Sequence, residues 1–594
     1  MSHDCACSSP ILGAIVKARL PWRHLLDSTT ALAEAEALSL MGLEAHRPRI
    51  RGGADAGPAE TIFWGGPILP VAGPRPEVEA LAVRDGRIVA VGDRGSVESW
   101  RGPRTTVVDL DGRTLLPGFI ESHLHILTGA ISRVQTEVSP FTTQTFDQAM
   151  QKVKAAVDAA APGAWVFAWG YDPSLIAGPP EVTIKDLDPI APNNPLFILN
   201  LSEHIAYVNS KALAAAGITR DTPDLPGGGR YLRDASGNPN GVIQEAPAIR
   251  SIIAAFPPMP TAGLPGIIRG FTDAAAAAGC TTIADAGVGL LGGVQEAVLF
   301  RQLASAPDAT VRVRGFPFGP LFDQWQKTPG FAPGAGDDRF RLVKIKFVSD
   351  GSNQGYTAAQ RQPYLGTTST GFLDYSTDDL QAALQQVIEQ GWPVAVHCNG
   401  DAALEQVLGI FATLQGRSPG GHLRHRIEHF TVNTEDQVER ACQLGLTPSF
   451  TIGHVHYWGK AFRDTILGPE RAARLDPTAS WARRGRPFSL NCDSITTPLA
   501  PLSYIQTAVT RRMRDGGEVL GPEQRVSVDE AIKSVTIYPA WQLDMDDIAG
   551  SLEVGKYADL AILDQNPRAV DPDTIGSIKV TETWLAGART HGPS

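Results

Sequence analysis

The stretch LLPGFIESHLH, residues 115–125, decides the fold that the sequence predicts. Its apolar first half predicts a buried strand, Leu115–Ile120, and its second half carries His123 and His125. Two histidines at i and i+2 on an extended segment point to the same side. Both imidazoles can therefore reach one metal ion. A His-x-His pair alone is a weak signal, so its meaning depends on what the rest of the chain places beside it.

Seven further apolar segments alternate with helix-like segments along the middle of the chain. Predicted helices at Leu380–Glu389 and Ala402–Leu414, for example, flank the segment that ends at His397. Eight parallel strands with crossover helices predict an α/β fold, a (β/α)8 TIM-like barrel over residues 115–544. The other seven predicted strands are Thr281–Asp285, Val311–Gly315, Leu342–Val348, Pro393–His397, His425–His429, Leu446–Phe450 and Pro487–Cys492.

The remaining segments predict an insertion and a second domain. The gap after the first strand is too long for one crossover, so residues of about 129–264 are expected to form an inserted α/β subdomain. Short β-rich runs at 59–114 and 545–594 are expected to pair into one composite β-sandwich. In the first of these runs, Asp85-Gly86 between two apolar segments predicts a hairpin. Residues 1–58 are interpreted as an N-terminal extension.

Candidate metal ligands stand at the ends of several predicted strands. His397 ends the fifth strand, His429 ends the sixth, and Asp493 follows the eighth. In barrels of this type the active site lies at the carboxyl ends of the strands, where these side chains would join His123 and His125. Imidazole and carboxylate ligands suit Zn²⁺. The sequence therefore predicts a site for divalent metal at that face.

Lys346 lies inside the fourth predicted strand, where a charged ammonium is costly to bury. A neutral lysine can react with CO2, and the resulting carbamate is an anion that can bridge two cations. Lys344 shares the same strand face, so the sequence alone does not separate the two lysines.

The composition fits an enzyme that acts on small molecules. Of the 594 residues, 43% are hydrophobic and 19% are charged, and the net charge is -11. This acidic balance argues against nucleic acid or an anionic membrane as the main partner. Six scattered cysteines indicate free thiols, and no apolar run approaches the roughly 18–20 residues that span a bilayer. We therefore expect a cytoplasmic enzyme with a small-molecule substrate, and a homodimer as the default assembly.

Taken together, these motifs resemble the amidohydrolase superfamily, and within it the amidohydrolase 3 family of YtcJ-like metal-dependent hydrolases. The resemblance runs from about residue 61 to 590. It implies a barrel with a flanking composite β-sandwich and one or two divalent metals, expected to be Zn²⁺. Besides residues 115–125, its landmarks are HIAYVNSKAL (204–213), KFVSDGS (346–352), HCNGDAA (397–403), RHRIEH (424–429) and GSLEVGKYADLAILD (550–564).

The resemblance also implies how the candidate ligands divide between two metals. His123, His125 and Asp493 would hold the first metal. His397 and His429 would hold the second.

Lys346 would bridge the two metals as a CO2-derived carbamate, and the alternative is a one-metal enzyme in which Lys346 is unmodified. Two segments depart from the family's pattern. Asn491-Cys492-Asp493 stands where the family usually has Gly-Ser-Asp, and GSNQGYTA (351–358) stands where it often has GSxGSRTA. The second segment is expected at the mouth of the site, so these departures weaken any transfer of a relative's substrate to this chain.

Four further residues are candidates for contacting the substrate. The resemblance suggests that Tyr171 and His204, both in the insertion, cover the pocket. His454 and His456 form a second His-x-His pair after the seventh strand. They can serve as ligands, but we interpret them as pocket residues because the set above already fills two metal sites. Aromatic residues in the predicted loops favour a substrate with an apolar or aromatic group.

The predicted activity is hydrolysis of a non-peptide C–N bond, in an N-acyl amide or a carbamate, by metal-activated hydroxide. Asp493 would act as general base toward the attacking water and then as general acid toward the leaving nitrogen. The alternatives are a hydrolase of cyclic amides such as imides or hydantoins, a heterocycle deaminase, and a non-catalytic assembly or regulatory protein. Missing ligands would mark the last of these, and no ligand of the predicted set is missing from the sequence.

Overall fold

The computed structural model describes residues 57–179, 182–201, 205–225, 229–257, 263–415, 423–514 and 516–593. The predicted N-terminal extension lies outside the described residues except for positions 57 and 58, and so does His204. Across the described ranges, no helix combines the length and the apolar character that crossing a membrane requires.

Two parallel sheets form the centre of the fold, in agreement with the predicted α/β class. In spatial order the strands of the first sheet are Phe340–Leu342, Arg312–Pro317, Cys280–Val288 and Phe119–Leu124. The strands of the second sheet are Ile345–Val348, Val394–Cys398, Arg426–His429, Thr447–Phe450 and Ser489–Leu490.

The two parallel sheets adjoin at both of their ends. At one end, a parallel bridge pairs Phe318 with Lys346. At the other, the hydroxyl oxygens of Ser122 and Ser489 lie 3.0 Å apart. The strands therefore follow one another around a circuit, an arrangement consistent with the predicted barrel.

The predicted first strand, Leu115–Ile120, is divided between two sheets. Thr114–Pro117 pairs with the C-terminal strand Leu560–Leu563, whereas Phe119–Leu124 enters the parallel sheet. The division falls at Gly118, where a Cβ atom would lie 2.3 Å from the side chain of Thr281. Only glycine tolerates so close an approach. The chain can therefore change partners at this point.

Helices cover the connections between the parallel strands, and Thr377–Glu389 shows why they form. Ser376 caps this helix, since its hydroxyl accepts a hydrogen bond from the Asp379 amide. Its buried residues recur with helical spacing and face the core. They are Leu380, Leu384, Val387 and Ile388.

The helices of the described residues differ widely in length. The α-helices are Arg94–Glu98, Ile126–Ser132, Phe146–Ala159, Ile184–Leu187, Ser210–Ala215, Glu245–Ile253, Leu264–Ala277, Gln295–Ser305, Phe322–Trp325, Thr377–Glu389, Asp401–Gln415, Glu435–Gln443, Gly459–Ala461, Pro469–Ala473, Thr478–Ala482, Pro501–Thr510, Val528–Lys533 and Ile537–Gln542. The 3-10 helices are Gly319–Leu321, Pro522–Gln524 and Pro572–Ser577, and the π-helices are His454–Trp458 and Phe462–Ile466.

A mixed sheet combines strands from both ends of the chain. The predicted hairpin is confirmed, because Val78–Arg84 pairs antiparallel with Arg87–Gly92 across Asp85-Gly86. Both turn residues have positive φ, as a type I′ turn requires. In spatial order the strands are Ala588–His591, Val580–Leu585, Leu560–Leu563, Thr114–Pro117, Thr61–Ile68, Val78–Arg84 and Arg87–Gly92, with Thr106–Asp109 beside Thr61–Ile68.

The segment between the first and second parallel strands contains its own six-stranded sheet. Its core includes Tyr171, Tyr207 and apolar residues of the helix Phe146–Ala159. In spatial order the strands are Arg230–Arg233, Pro239–Gln244, Ile205–Val208, Leu196–Asn200, Val166–Tyr171 and Thr136–Glu137.

Candidate metal centre

Three of the predicted ligands come together at the carboxyl ends of the parallel strands. One ligand atom from each of His123, His429 and Asp493 lies within 4.8 Å of the other two, and all three residues are buried. The Asp493 amide donates a hydrogen bond to the His123 carbonyl oxygen at 3.1 Å. The segment after the eighth strand is thereby fixed to the first strand, and its carboxylate faces the two imidazoles.

His125 completes the group around Asp493. Its Nε2 lies 3.4 Å from Asp493 Oδ1, and His123 Nε2 lies 3.4 Å from the same oxygen. Two ligand atoms that share a tetrahedral Zn²⁺ at bond lengths of about 2.1 Å are about 3.4 Å apart. The distance from the Asp493 oxygen to each of the two imidazole nitrogens therefore matches the spacing of ligands on one divalent cation.

The polar atoms that face this space are buried and have no hydrogen-bond partner within the described ranges. Leaving such atoms unsatisfied is costly, and native proteins rarely do so. A cation bound to the imidazole nitrogens and the carboxylate would satisfy most of them, and this donor set suits Zn²⁺. The atoms are His123 Nε2, His125 Nε2, His429 Nε2, Lys346 Nζ and Asp493 Oδ1.

His397 lies beside His429, with 4.4 Å between the two ring centroids. The register of their strands explains this, because Cys398 is paired with His429. His397 Nε2 lies 3.0 Å from the Gly351 carbonyl oxygen and 3.5 Å from Asp350 Oδ1.

The structure separates the two lysines that the sequence leaves equivalent. Lys344 lies in the break between two strands, and its Nζ donates to the Arg424 carbonyl oxygen at 2.6 Å. Burial lowers the pKa of Lys344 to about 8. Lys346 lies within Ile345–Val348, and its charge acts on His123 and Asp493. Of the two lysines, Lys346 is therefore the one whose charge acts on His123 and Asp493.

A buried ion pair orients His123. Its Nδ1 lies 2.5 Å from Glu428 Oε2, and Arg426 donates two hydrogen bonds to the same carboxylate, at 2.8 and 2.6 Å. Burial would raise the pKa of Glu428, but Arg426 and His123 hold it well below its usual range. The ionised Glu428 accepts the Nδ1 proton of His123, which leaves Nε2 to face the metal space.

The two imidazoles beside Asp493 favour the ionised form of its carboxyl. Burial would raise its pKa, but His123 and His125 together lower it well below the usual range. Burial and the charge of Lys346 lower the pKa of His123 to about 4, so this imidazole is neutral at neutral pH. A neutral imidazole beside a carboxylate is the form in which both groups bind a cation.

Asp493 and His429 also have unusual backbone conformations, with φ of +47° and +69°. Residues other than glycine rarely adopt this left-handed region, which costs of order 1–3 kcal/mol. Such strain persists where the surroundings hold it, and here it occurs at two of the three clustered ligands.

The predicted substrate-contacting residues have different surroundings. The ring of Tyr171 packs between Phe146 and Tyr207, and burial raises its pKa to about 12. His454 is buried, and its Nδ1 lies 3.4 Å from Thr431 Oγ1.

His454 and His456 belong to the π-helix His454–Trp458, a type of helix that is frequent at functional sites. Burial lowers the pKa of His454 to about 4, and the charges of Asp493 and His397 also act on it, so it lies near the cluster. His456 Nδ1 instead donates to the Arg512 carbonyl oxygen at 2.9 Å. The two histidines therefore have different contacts.

Several residues of the site were not identified from the sequence. Asp350 accepts hydrogen bonds from the amides of Asn399, Gly400 and Ala359, and burial raises its pKa to about 6. Glu428 was also missed, although it directly precedes His429 in the motif RHRIEH. The available signal was the alternation of Arg426 and Glu428 on one face of a predicted buried strand.

The chain is similar to known proteins over most of its length. A family model described as "Amidohydrolase family" matches residues 106–591. The chain is 27% identical to YtcJ of Bacillus subtilis (strain 168), which is named as an amidohydrolase, over 89% of this chain and 98% of that protein. It is also 27% identical to the N-substituted formamide deformylase of Arthrobacter pascens, over 86% of this chain and 94% of that protein.

A solved structure is similar as well. It is that of an uncharacterized metal-dependent hydrolase from Pyrococcus horikoshii OT3, with a TM-score of 0.67 at 22% identity. The match covers 86% of this chain and 99% of that chain. At this identity the likeness supports the fold.

Proposed function

The chain belongs to the amidohydrolase family, and from that premise we propose that it hydrolyses the C–N bond of a small N-acyl amide or carbamate carrying an apolar or aromatic group. We further propose that its two parallel sheets form one (β/α)8 barrel. The observation that carries the proposal is the convergence of buried imidazole nitrogens and one carboxylate oxygen at the ends of different strands, all without a hydrogen-bond partner within the described residues.

In this proposal some residues of the site hold metal ions, and Asp493 also transfers protons. His123, His125 and Asp493 would hold one divalent cation, and His397 and His429 a second. When bound, such cations polarise a carbonyl oxygen and lower the pKa of water to about 7.

Asp493 performs the proton transfers in this proposal. Its carboxylate takes a proton from the attacking water as the bond from water oxygen to the carbonyl carbon forms. It then gives that proton to the leaving nitrogen as the C–N bond breaks, so the products are a carboxylic acid and an amine. The low pKa of Asp493 keeps it in the base form before attack. In this proposal His454, which is buried and feels the charge of Asp493, contacts the substrate oxygen.

The substrate class draws support from one relative. The Arthrobacter pascens protein is named an N-substituted formamide deformylase, and a formamide is the smallest N-acyl amide. Tyr457, next to His456 in the sequence, packs against Phe141, and Tyr356 lies in the segment that follows the Lys346 strand. Such aromatic surfaces favour a substrate with an apolar part.

The test is a product screen by mass spectrometry. Zn²⁺-loaded protein is mixed with acyl amides, aryl amides, carbamates, cyclic imides and amino-heterocycles, and a chelator-treated sample is the control. Chelator-sensitive appearance of a matched acid and amine would support the proposal. Ring opening or release of ammonia would replace it with the cyclic-amide or deaminase alternative, and no chelator-sensitive product would count against hydrolysis of any of these classes.

A prediction concerns the lysine carbamate. In protein incubated with ¹³C-labelled CO2 and metal, we expect a carbamate carbon signal that disappears in Lys346→Met and persists in Lys344→Met. The reason is that Lys344 Nζ already donates to the Arg424 carbonyl oxygen, whereas Lys346 Nζ has no partner in the described part of the chain. Carbon-13 NMR and the metal content per chain measure the outcome. Loss of the signal in Lys344→Met alone would reverse the assignment.

A further inference from the structure

We propose that Asn491 and Thr451 determine which nitrogen of His429 carries the proton, so that Nε2 faces the metal space with a free lone pair. Asn491 is part of the segment that departs from the family's pattern. The inference rests on the proposed function only in treating His429 as a metal ligand. The hydrogen bonds that carry it belong to the chain itself.

Three buried serines form the starting point. The hydroxyl oxygens of Ser122 and Ser449 lie 3.0 Å apart, those of Ser122 and Ser489 also 3.0 Å, and those of Ser489 and Ser449 2.8 Å. All three side chains are excluded from solvent. Each hydroxyl has one hydrogen to donate. Ser122 donates to Ser489 and Ser489 donates to Ser449, so the hydrogen of Ser449 closes the ring at Ser122. The Leu490 carbonyl oxygen also lies 3.4 Å from Ser122 Oγ, a longer contact than those within the ring.

The ring of three serines determines the orientation of the Asn491 side-chain amide. Asn491 Nδ2 lies 2.8 Å from Ser449 Oγ, whose hydrogen is already used within the ring. The nitrogen of the amide must therefore point to Ser449, because only an N–H group can donate there. Asn491 Oδ1 then faces Thr451, whose hydroxyl donates to it at 2.8 Å.

The orientation of Thr451 in turn determines that of His429. The single hydroxyl hydrogen of Thr451 is directed at Asn491. Thr451 Oγ1 can therefore only accept a hydrogen bond from the imidazole of His429. His429 Nδ1 lies 2.9 Å from this oxygen and must carry the proton. His429 Nε2 is then unprotonated. It is buried and without a hydrogen-bond partner in the described ranges, as expected of an atom reserved for a metal.

The segment 491–493 thus acts on two of the proposed metal ligands, His429 and Asp493. The backbone N–H of Asn491 donates a hydrogen bond to the Phe450 carbonyl oxygen at 2.9 Å, which holds the residue in place. Two residues later, Asp493 supplies a carboxylate to the cluster. Asn491 is therefore a positioning residue, which acts on His429 through Thr451 and has no contact with the reacting atoms in this scheme.

The first test reads the proton position directly. Metal-free protein with ¹⁵N-labelled histidine is studied by NMR at mildly alkaline pH, and the His429 signals are identified by their loss in His429→Gln. We expect the wild type to carry the proton on Nδ1. In Thr451→Val and Asn491→Leu we expect a shift of the proton toward Nε2, whereas Thr451→Ser, which retains the hydroxyl, should keep the wild-type pattern.

The second test measures Zn²⁺ affinity by competition with a chelator. Loss of a partner behind a metal-binding histidine typically costs about 10–100-fold in affinity, and we expect this loss for Thr451→Val and its recovery in Thr451→Ser. Thr282→Val is the matched control, because Thr282 is a buried threonine whose hydroxyl has no partner within the described residues. It should bind Zn²⁺ like the wild type.

Two results would overturn the inference. One is a wild-type His429 with its proton on Nε2, which the wild-type spectrum reveals even if a variant fails to fold. The other is a folded Thr451→Val protein with wild-type affinity and an unchanged spectrum. If the wild type binds no metal at all, the proposed function fails, while the spectrum still decides the position of the proton.

Discussion

Asp493→Asn lowers kcat by about 10²–10⁴-fold and leaves the protein folded, because an amide cannot accept and return the proton that hydrolysis moves. The carboxylate lies 3.4 Å from both His123 Nε2 and His125 Nε2, so it is directly beside two of the proposed metal-holding imidazoles. Asparagine tolerates the left-handed conformation that Asp493 adopts, so the substitution adds little backbone strain. Steady-state kinetics on the substrate found in the product screen, with circular dichroism as the folding check, measure the effect.

A matched control is Asp111→Asn, the same change at another left-handed aspartate, in an exposed position beside the mixed sheet. It should keep wild-type kcat. Metal content separates two causes of the loss in Asp493→Asn. A variant that retains its metal and loses turnover has lost proton transfer, and one that loses metal has lost a ligand. Turnover near that of the wild type would remove Asp493 from the mechanism.

Arg426→Met destabilises the metal-free protein by about 3–5 kcal/mol, the cost typical of removing one partner from a buried ion pair. Arg426 and Glu428 are both fully buried, and the substitution leaves the Glu428 carboxylate without its main counter-charge. The urea midpoint of unfolding, followed by tryptophan fluorescence, measures the change.

The surface pair Arg440–Glu405 provides the control for this prediction. Its shortest N–O distance is 2.7 Å, close to the 2.6 Å of the buried pair, but its side chains are 33% and 45% exposed. Arg440→Met should therefore cost no more than about 1 kcal/mol. The double variant Arg426→Met with Glu428→Gln should recover part of the loss, since it leaves no unpaired charge. Equal effects of the two single arginine variants would show that burial is not the cause.

Two sequence features were sufficient to predict much of the site. They are the i, i+2 spacing of side chains on a strand and the position of candidate ligands at the carboxyl ends of predicted strands. His123, His429 and Asp493 were assigned to one face from the ends of three predicted strands, and the structure brings them together. The partner of His123 was not predictable in the same way. Glu428 reaches it from a strand of the other parallel sheet, which does not pair with the strand of His123, and the sequence does not contain that contact.

The differences between the predicted and the observed strands have local causes. Pro117-Gly118 ends one strand and permits another to begin, so an apolar run that reads as one strand belongs to two sheets. The break at Val343 and Lys344 likewise sets the two lysines apart: Lys344 lies between two strands and donates to the Arg424 carbonyl oxygen, whereas Lys346 lies within the following strand. A hydrophobic pattern gives the position of a strand along the chain, but breaks of one or two residues depend on contacts made after folding.

The mixed sheet has a consequence for the order in which the protein can be made. Thr114–Pro117 pairs with Leu560–Leu563, which leaves the ribosome more than 400 residues later. At synthesis rates of 5–20 residues per second, that delay is roughly 20–90 s. During this time one edge of Thr114–Pro117 lacks its native neighbour, and an open edge can pair with another chain. In a nascent chain that edge therefore stays open until Leu560–Leu563 has been made.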